Sequence, residues 1–313
     1  MGGNSHETGT APIVVALGGN TLLGAHGLGT IDEQRDVIAR TARQIADAIQ
    51  TGYDVVLTHG NGPQVGTLLL QQERVGETPH LPLDVLVAET QAQIGYLLQQ
   101  ALDNELTDSP DFITVVTQVV VDADDPAFQD PTKPIGPLYT ETEAAEKSFE
   151  ARRVATGNRP YRRVVPSPEP VEIVEAEEIA SLVERGNLVI TAGGGGVPVV
   201  RDDALRGVEA VVDKDKTSQL LASELGADTL VILTDVEFAY VNYEASDQRP
   251  LRRISTEELR AHLDAGEFGE GSMRPKMEAC LRFIEQGGER AVVTASEHLM
   301  DALAGETGTQ VRA

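Results

Sequence analysis

Ile13-Val14-Val15-Ala16-Leu17-Gly18-Gly19-Asn20 is a run of apolar residues that ends in two glycines and an asparagine. So short an apolar run, closed by a turn signal, reads as a strand buried on both faces. The pattern returns at Asp54 to Thr58, which ends in His59-Gly60-Asn61-Gly62-Pro63, and at Leu188 to Ala192, which ends in Gly193-Gly194-Gly195-Gly196. Between these strands lie helical stretches. Thr30-Ile31-Asp32-Glu33 is a capping box that opens a helix to about Gln50, and Gly52 stops it. Helices are predicted over residues 63–73, 83–105, 175–185 and 217–225. A strand follows at Thr229 to Leu233, and a second capping box at Ser255-Thr256-Glu257-Glu258. Pro275 in a first turn opens the helix holding Lys276; strand Ala291 to Thr294 and a last helix close the chain. Strands alternating with amphipathic helices predict an α/β protein around a mostly parallel sheet.

The rhythm breaks once. Ile113 to Val121 is a β-rich run, and from Asp122 to about Pro170 the chain is rich in Pro, Gly, Asp and Arg. So long an interruption of an α/β pattern is functional or disordered. Phe128, Leu138, Tyr139, Phe149 and Tyr161 argue for order, so residues 123–168 are expected to form a small subdomain projecting from the sheet.

Composition excludes several classes. Asp and Glu number 50 against 25 Lys and Arg, a formal charge of −25. Such a surface repels nucleic acid and anionic membrane. It suits a salt-rich cytoplasm, where a Debye length of about 3 Å at 1 M salt screens self-repulsion. An ordinary acidic cytosolic enzyme is the alternative. The single cysteine, Cys280, rules out an intrachain disulfide and reads as a buried thiol. No segment has 18 uninterrupted apolar residues. Residues 1–11 lack the features of a signal peptide and read as a disordered tail.

The lysines point to the chemistry. Only five occur, and four sit in short polar motifs: Lys133 in Pro-Thr-Lys-Pro-Ile-Gly, Lys214 and Lys216 in Asp213-Lys214-Asp215-Lys216-Thr217, and Lys276 after Ser272-Met273-Arg274-Pro275. Lys147 lies in an ordinary charged helical stretch. An ammonium on a flexible stem can follow a moving phosphoryl group. In open α/β sheets ligands bind beyond the carboxyl ends of the strands, where three glycine clusters are predicted here. Glycines admit an anion close to backbone N–H groups. The P-loop pattern and the Gly-x-Gly-x-x-Gly fingerprint opening a first helix are both absent, which disfavours a dinucleotide-dependent oxidoreductase. The histidines are scattered; His59 alone falls near a candidate site, where a structural role competes with a chemical one. Lysines without a general base suit phosphoryl transfer to an acceptor that is already an anion. For Asp215 between two lysines, and for Lys216, a solvated charge run is the plainer alternative.

The motifs Val14 to Asn20, Thr58 to Gly66, Pro131 to Gly136, Arg162 to Pro168, Ala192 to Gly196, Asp213 to Asp215 and Gly271 to Lys276 together resemble those of the carbamate kinases, over residues 12–311. The resemblance implies the amino-acid-kinase fold, a three-layer αβα sandwich, as a homodimer. It implies carbamoyl phosphate + ADP ⇌ carbamate + ATP with Mg²⁺, in arginine fermentation by the deiminase route. Residues 12–212 would bind carbamate or carbamoyl phosphate and residues 213–313 the nucleotide. Lys214 and Lys276 would contact the transferring phosphoryl group, with Asp215 holding both. Gly18, Gly19 and Asn20 would stabilise the transition state. Gly60, Asn61, Gly62, Gly193 and Gly194 would hold the carbamate end, and Lys133 would reach over carbamoyl phosphate. Thr234, Asp235, Val236, Tyr240 and Met273 would lie near the nucleotide. Members of the wider fold carry a lysine where this chain has Ala16, and Lys214 would replace it. No metal ligand is assigned to the protein. Another small-molecule kinase of this fold, or a non-catalytic binding protein on it, is the competing reading.

Overall fold

The computed structural model describes residues 11–19, 22, 29–75, 79–107, 111–269 and 271–313. Its central sheet has eight strands, in the order Arg253–Ser255, Thr309–Arg312, Arg290–Ala295, Thr229–Thr234, Ile13–Leu17, Val55–His59, Leu188–Thr191 and Phe112–Thr114. The six from Arg290–Ala295 to Phe112–Thr114 run parallel. Thr309–Arg312 runs antiparallel to Arg290–Ala295, and Arg253–Ser255 parallel to Thr309–Arg312, so one edge is reversed.

Strand period divides the core in two. Val14 and Ala16 face one layer, with Leu221, Leu259, Met277 and Cys280 from the helices Lys214–Glu224, Thr256–Asp264 and Met273–Glu285. Ile13, Val15 and Leu17 face the other, with Ile38, Ile45, Ile94 and Leu98 from the helices Ile31–Gln50 and Leu83–Glu105. Both sheet faces are covered, which is why the strands read as unbroken apolar runs. The result is the three-layer αβα sandwich that the resemblance implied. Both capping boxes form, at Thr30/Glu33 and Ser255/Glu258, and Cys280 is buried.

Three local expectations outside the site change. Ile113 to Val121 is not one element. Phe112–Thr114 joins the central sheet, while Gln118–Val121 joins a second sheet with Leu205–Gly207, Val197–Arg201 and Pro170–Ile173. The break falls at Thr117, whose backbone N–H and carbonyl are satisfied by the Gln91 side chain at 2.8 and 3.0 Å. The carbonyl also accepts from the Val197 N–H at 2.8 Å, so the helix side chain stands in for a backbone partner at the Thr117 N–H. At the other end, the helix Leu299–Leu303 is not the last element; Thr309–Arg312 returns to the sheet. Lys147 lies beyond the short helix Glu141–Ala145 rather than inside one.

The projecting segment is ordered. Lys133–Tyr139, Tyr161–Val165 and Ala151–Arg153 form a three-stranded antiparallel sheet. It rests on the helix Gly62–Arg74, where Tyr139 Oη donates to Glu73 at 2.5 Å and Lys147 Nζ to the same carboxylate at 2.6 Å. Lys147 also sits 4.8 Å from the Tyr139 ring centroid.

Candidate active site

Because the central strands are parallel, four of them end on one side of the sheet. Ile13–Leu17 leads to Gly18-Gly19, Val55–His59 to Gly60-Asn61, Leu188–Thr191 to the glycine run from Gly193, and Thr229–Thr234 to Asp235. The first two loops nest: a Cβ on Gly60 would lie 2.9 Å from the backbone nitrogen of Gly19. The third loop turns through positive φ, with Gly194 at +67°, and a Cβ there would meet the Asn61 side chain at 2.1 Å. Asn61 is itself fixed by donating from Nδ2 to Thr90 Oγ1 at 2.9 Å. Space therefore requires glycine at both positions, and at Gly194 the positive φ requires it as well.

His59 lies beneath these loops. It is 1% exposed, with Nδ1 3.1 Å from the Gly60 carbonyl oxygen. Burial pushes its pKa down to about 4; the Gly60 bond opposes this and the charge of Lys214 adds to it. A neutral histidine in that position packs against Gly193, where a Cβ would sit 2.6 Å from the ring. It holds the loops and faces neither cavity described below.

The lysines meet on one carboxylate. Asp215 Oδ1 accepts from Lys214 Nζ at 2.6 Å and Oδ2 from Lys276 Nζ at 2.9 Å. Asp215 is nearly buried, and burial alone would raise its carboxyl; the two ammoniums outweigh that and hold it well below the usual range. Burial lowers the pKa of Lys214, Asp215 opposing it and Lys276 adding to it. Burial acts the same way on Lys276, but Asp215, Asp213 and Asp235 overcome it, and its pKa is raised. The two lysines move in opposite directions on a shared partner: Lys276 has Asp235 near it as well, whereas on the buried Lys214 the charge of Lys276 adds to the cost of burial.

Local sequence explains the placement. Asp213 is the N-cap of the helix Lys214–Glu224, its side chain accepting from the Asp215 N–H at 2.9 Å. The helix thus begins at Lys214, ahead of the predicted start at Thr217, and sets Lys214 and Asp215 in its first turn. Asp213 Oδ2 also accepts from Lys133 Nζ at 2.7 Å, bringing in the projecting sheet. Sequence reasoning gave Asp213 no role, although an aspartate just before a helical stretch is an N-cap signal. Lys216 is engaged elsewhere: it pairs with Glu169, which also accepts from Arg282 at 3.0 Å.

Two adjoining cavities open here. One, of about 220 Å³, is lined by Gly18, Gly19, Gly60, Asn61, Gly62, Gly194, Lys133, Lys214, Asp215, Lys276, Thr234 and Asp235. The second, of about 320 Å³, is lined by Val236, Tyr240 and Met273, and shares Thr234, Asp235 and Lys276 with the first. Gly193 lines neither, and Asn20 falls outside the described residues. Tyr243 and Phe268 in the second cavity, and Gly271 and Ser272 in both, were not anticipated. Among the described residues no group of three or more His, Cys, Asp or Glu is placed to hold a metal ion, and no helix is long and apolar enough to cross a membrane.

A sandwich of this topology with paired lysines beside glycine loops defines a phosphotransferase scaffold, and the amino acid kinase family model matches residues 11–295. The chain belongs to that family. Over 301 residues it is 56% identical to the carbamate kinase of Halobacterium salinarum, covering 95% of this chain and 97% of that one. It is 49% identical to the carbamate kinase of Pyrococcus furiosus over 308 residues, 96% and 98% of the two chains. The solved carbamate kinase of Giardia lamblia bound to AMP-PNP superposes with a TM-score of 0.90 at 42% identity, covering 97% of this chain and 98% of that one. Within the family, the chain therefore groups with the carbamate kinases.

Proposed function

We propose that the protein is a carbamate kinase that makes ATP from carbamoyl phosphate and ADP. The carrying observation is the Lys214–Asp215–Lys276 cluster, at the junction of a small glycine-lined cavity and a larger one with aromatic walls. A β-phosphate oxygen of ADP attacks the phosphorus; a new P–O bond forms as the P–O bond to the carbamoyl group breaks. Carbamate departs as an anion, so no proton has to move. That fits a site beside which His59, the histidine closest to it among the described residues, is buried and neutral. Positioning and charge stabilisation remain for the protein to supply.

In this reading Lys214 and Lys276 offset charge on the transferring oxygens, and Asp215 keeps both at one spot. Gly19 and Asn20 contribute backbone N–H groups, and Gly18, whose own N–H donates to the Leu233 carbonyl at 3.1 Å, anchors the start of that loop. Gly60, Asn61, Gly62 and Gly194 shape the carbamate end, with Gly193 behind them. Thr234, Asp235, Val236, Tyr240 and Met273 line the nucleotide's cavity. Asp213 and Asp215 are already engaged by lysines, which suits a Mg²⁺ held mainly by nucleotide phosphates and water, Asp235 being the carboxylate on the shared wall. When bound, the ion would neutralise phosphate charge. Residues 12–212 serve carbamoyl phosphate and residues 213–313 the nucleotide. The projecting sheet acts as a lid that delivers Lys133 and excludes water. We further read the protein as a cytoplasmic homodimer of a salt-accumulating organism, serving arginine fermentation.

Coupled measurement of ATP formed from carbamoyl phosphate and ADP, across salt concentrations and against acetyl phosphate, tests the reading. Lys214→Ala and Lys276→Ala should each lower kcat by roughly 10²–10³-fold. Equal turnover of acetyl phosphate would assign the site to another acyl phosphate. Near-normal turnover in a folded lysine variant would remove that residue from the site.

A further inference from the structure

At the reversed edge of the central sheet lies a third hollow, of about 460 Å³, lined among others by Arg253, Ser255, Arg290, Gln310 and Arg312. It shares no lining residue with either kinase cavity. Arg253 stands in the edge strand opposite Gln310, and Ser255 opposite Arg312 in the next strand. Arg290 opens the third strand. Three guanidiniums from three neighbouring strands therefore border one space.

In a chain with twice as many anions as cations, this grouping is unusual. Elsewhere among the described residues several arginines are matched with carboxylates, as in Arg152–Asp130, Arg201–Glu172 and Arg282–Glu169, while others, such as Arg162 on the Gly136 carbonyl, are not; what marks this trio is that three border one space. Among the described residues, none of Arg253, Arg290 and Arg312 has a carboxylate within ion-pair distance. Arg290 donates to the Leu303 carbonyl at 2.8 Å, which orients the head but does not neutralise it. Burial lowers its pKa, contact with Tyr53 opposing and the charge of Arg312 adding. Glu258 also lines the hollow; bonds of 3.1 and 3.2 Å from Ser255 orient its carboxylate toward the helix cap without neutralising it, so the lining sets three guanidiniums against this one side-chain carboxylate.

We propose that this hollow is a second binding site, separate from the kinase cavities, for a compact anion carrying two or more phosphoryl groups, held by Arg253, Arg290 and Arg312. Guanidinium forks match phosphate oxygens bidentately. Three of them, spread over a space too large for one phosphate, suit more than one charged group. No aromatic ring lines the hollow, and its apolar wall is only Ile254, Ala304 and Ala313, so a nucleobase finds no platform. The plainer reading is protection of an edge strand, where charged side chains discourage pairing with another chain.

Calorimetric titration separates the two. The full chain is saturated with a non-hydrolysable ATP analogue to fill the kinase site, then titrated with inorganic pyrophosphate and, separately, with orthophosphate. The titrations use KCl at which the protein is folded. Saturable pyrophosphate binding is expected, at least about tenfold tighter than orthophosphate, and weakened at least about tenfold by Arg253→Ala and by Arg312→Ala. Both arginines are exposed, and kcat of the variants should be unchanged. Absent binding, binding that survives both substitutions, or equal affinity for orthophosphate would each overturn the proposal. Self-association of the variants, in a protein that binds no pyrophosphate, would establish edge protection instead.

Discussion

Replacing Asp215 by asparagine should damage stability, turnover and pH dependence together. The carboxylate makes charge-assisted bonds of 2.6 and 2.9 Å to Lys214 and Lys276. Bonds of that kind are worth about 1.5–3 kcal/mol each, so about 3–6 kcal/mol is at stake. Asparagine keeps one carbonyl oxygen for one lysine and turns an N–H₂ toward the other. The stranded lysine can escape by losing its proton, which limits the loss to roughly 3 kcal/mol. For 313 residues that is a fall in Tm of roughly 5 °C. Lys214, whose ammonium burial already disfavours, would lose its main attraction, so its pKa would fall further. Turnover should then decline as pH rises, because the charged lysine is the active form, whereas the wild type holds its charge further into the alkaline range. Thermal melts and steady-state ATP formation, measured from neutral to alkaline pH, read all three effects. An Asp215→Asn protein with an unshifted melting midpoint and a pH profile parallel to wild type would refute the shared-carboxylate argument.

Lys133→Ala should lower kcat and raise KM for carbamoyl phosphate while leaving ADP affinity nearly unchanged; calorimetry with ADP beside kinetics in carbamoyl phosphate tests the lid reading, and equal damage to both ligands, or none, counts against it. Neutral His59 contributes stability that is fully present above pH 6.5 and lost as pH falls toward about 4. That separation is worth roughly 3 kcal/mol, and denaturant melts of His59→Gln should lack this part of the pH dependence. With a formal charge of −25, the melting midpoint should fall as KCl is withdrawn from about 2 M; an unmoved midpoint would sink the salt-adaptation reading, though not the kinase assignment.

Much of this protein was legible in its sequence because much of it is local. Apolar runs ending in glycine mark strands buried on both faces, where a polar side chain is kept only with a partner, as Thr58 is with Ser218 at 2.6 Å. Thr30/Glu33 and Ser255/Glu258 announce helix starts because a capping box closes within one turn. The motifs around Gly18, Gly60, Gly193, Lys214 and Lys276 were enough to name the family. Other features needed the third dimension. Whether Ile113 to Val121 forms one strand or two depended on Gln91, a helix residue 26 positions from Thr117. That Thr309–Arg312 returns to the sheet depended on an open edge there. The convergence of Lys276 on Asp215, 61 residues away, and of Lys133 on Asp213, 80 away, is written in no local pattern. Those contacts arise because parallel strands end on one side and deliver distant loops to one place. The same physics separates Lys216 from its neighbours: Lys214 and Lys216 look alike in the motif, but Glu169 and Arg282 sit beside only one of them. Local chemistry decides which elements form, whereas a charge finds its partner only after packing has brought the elements together.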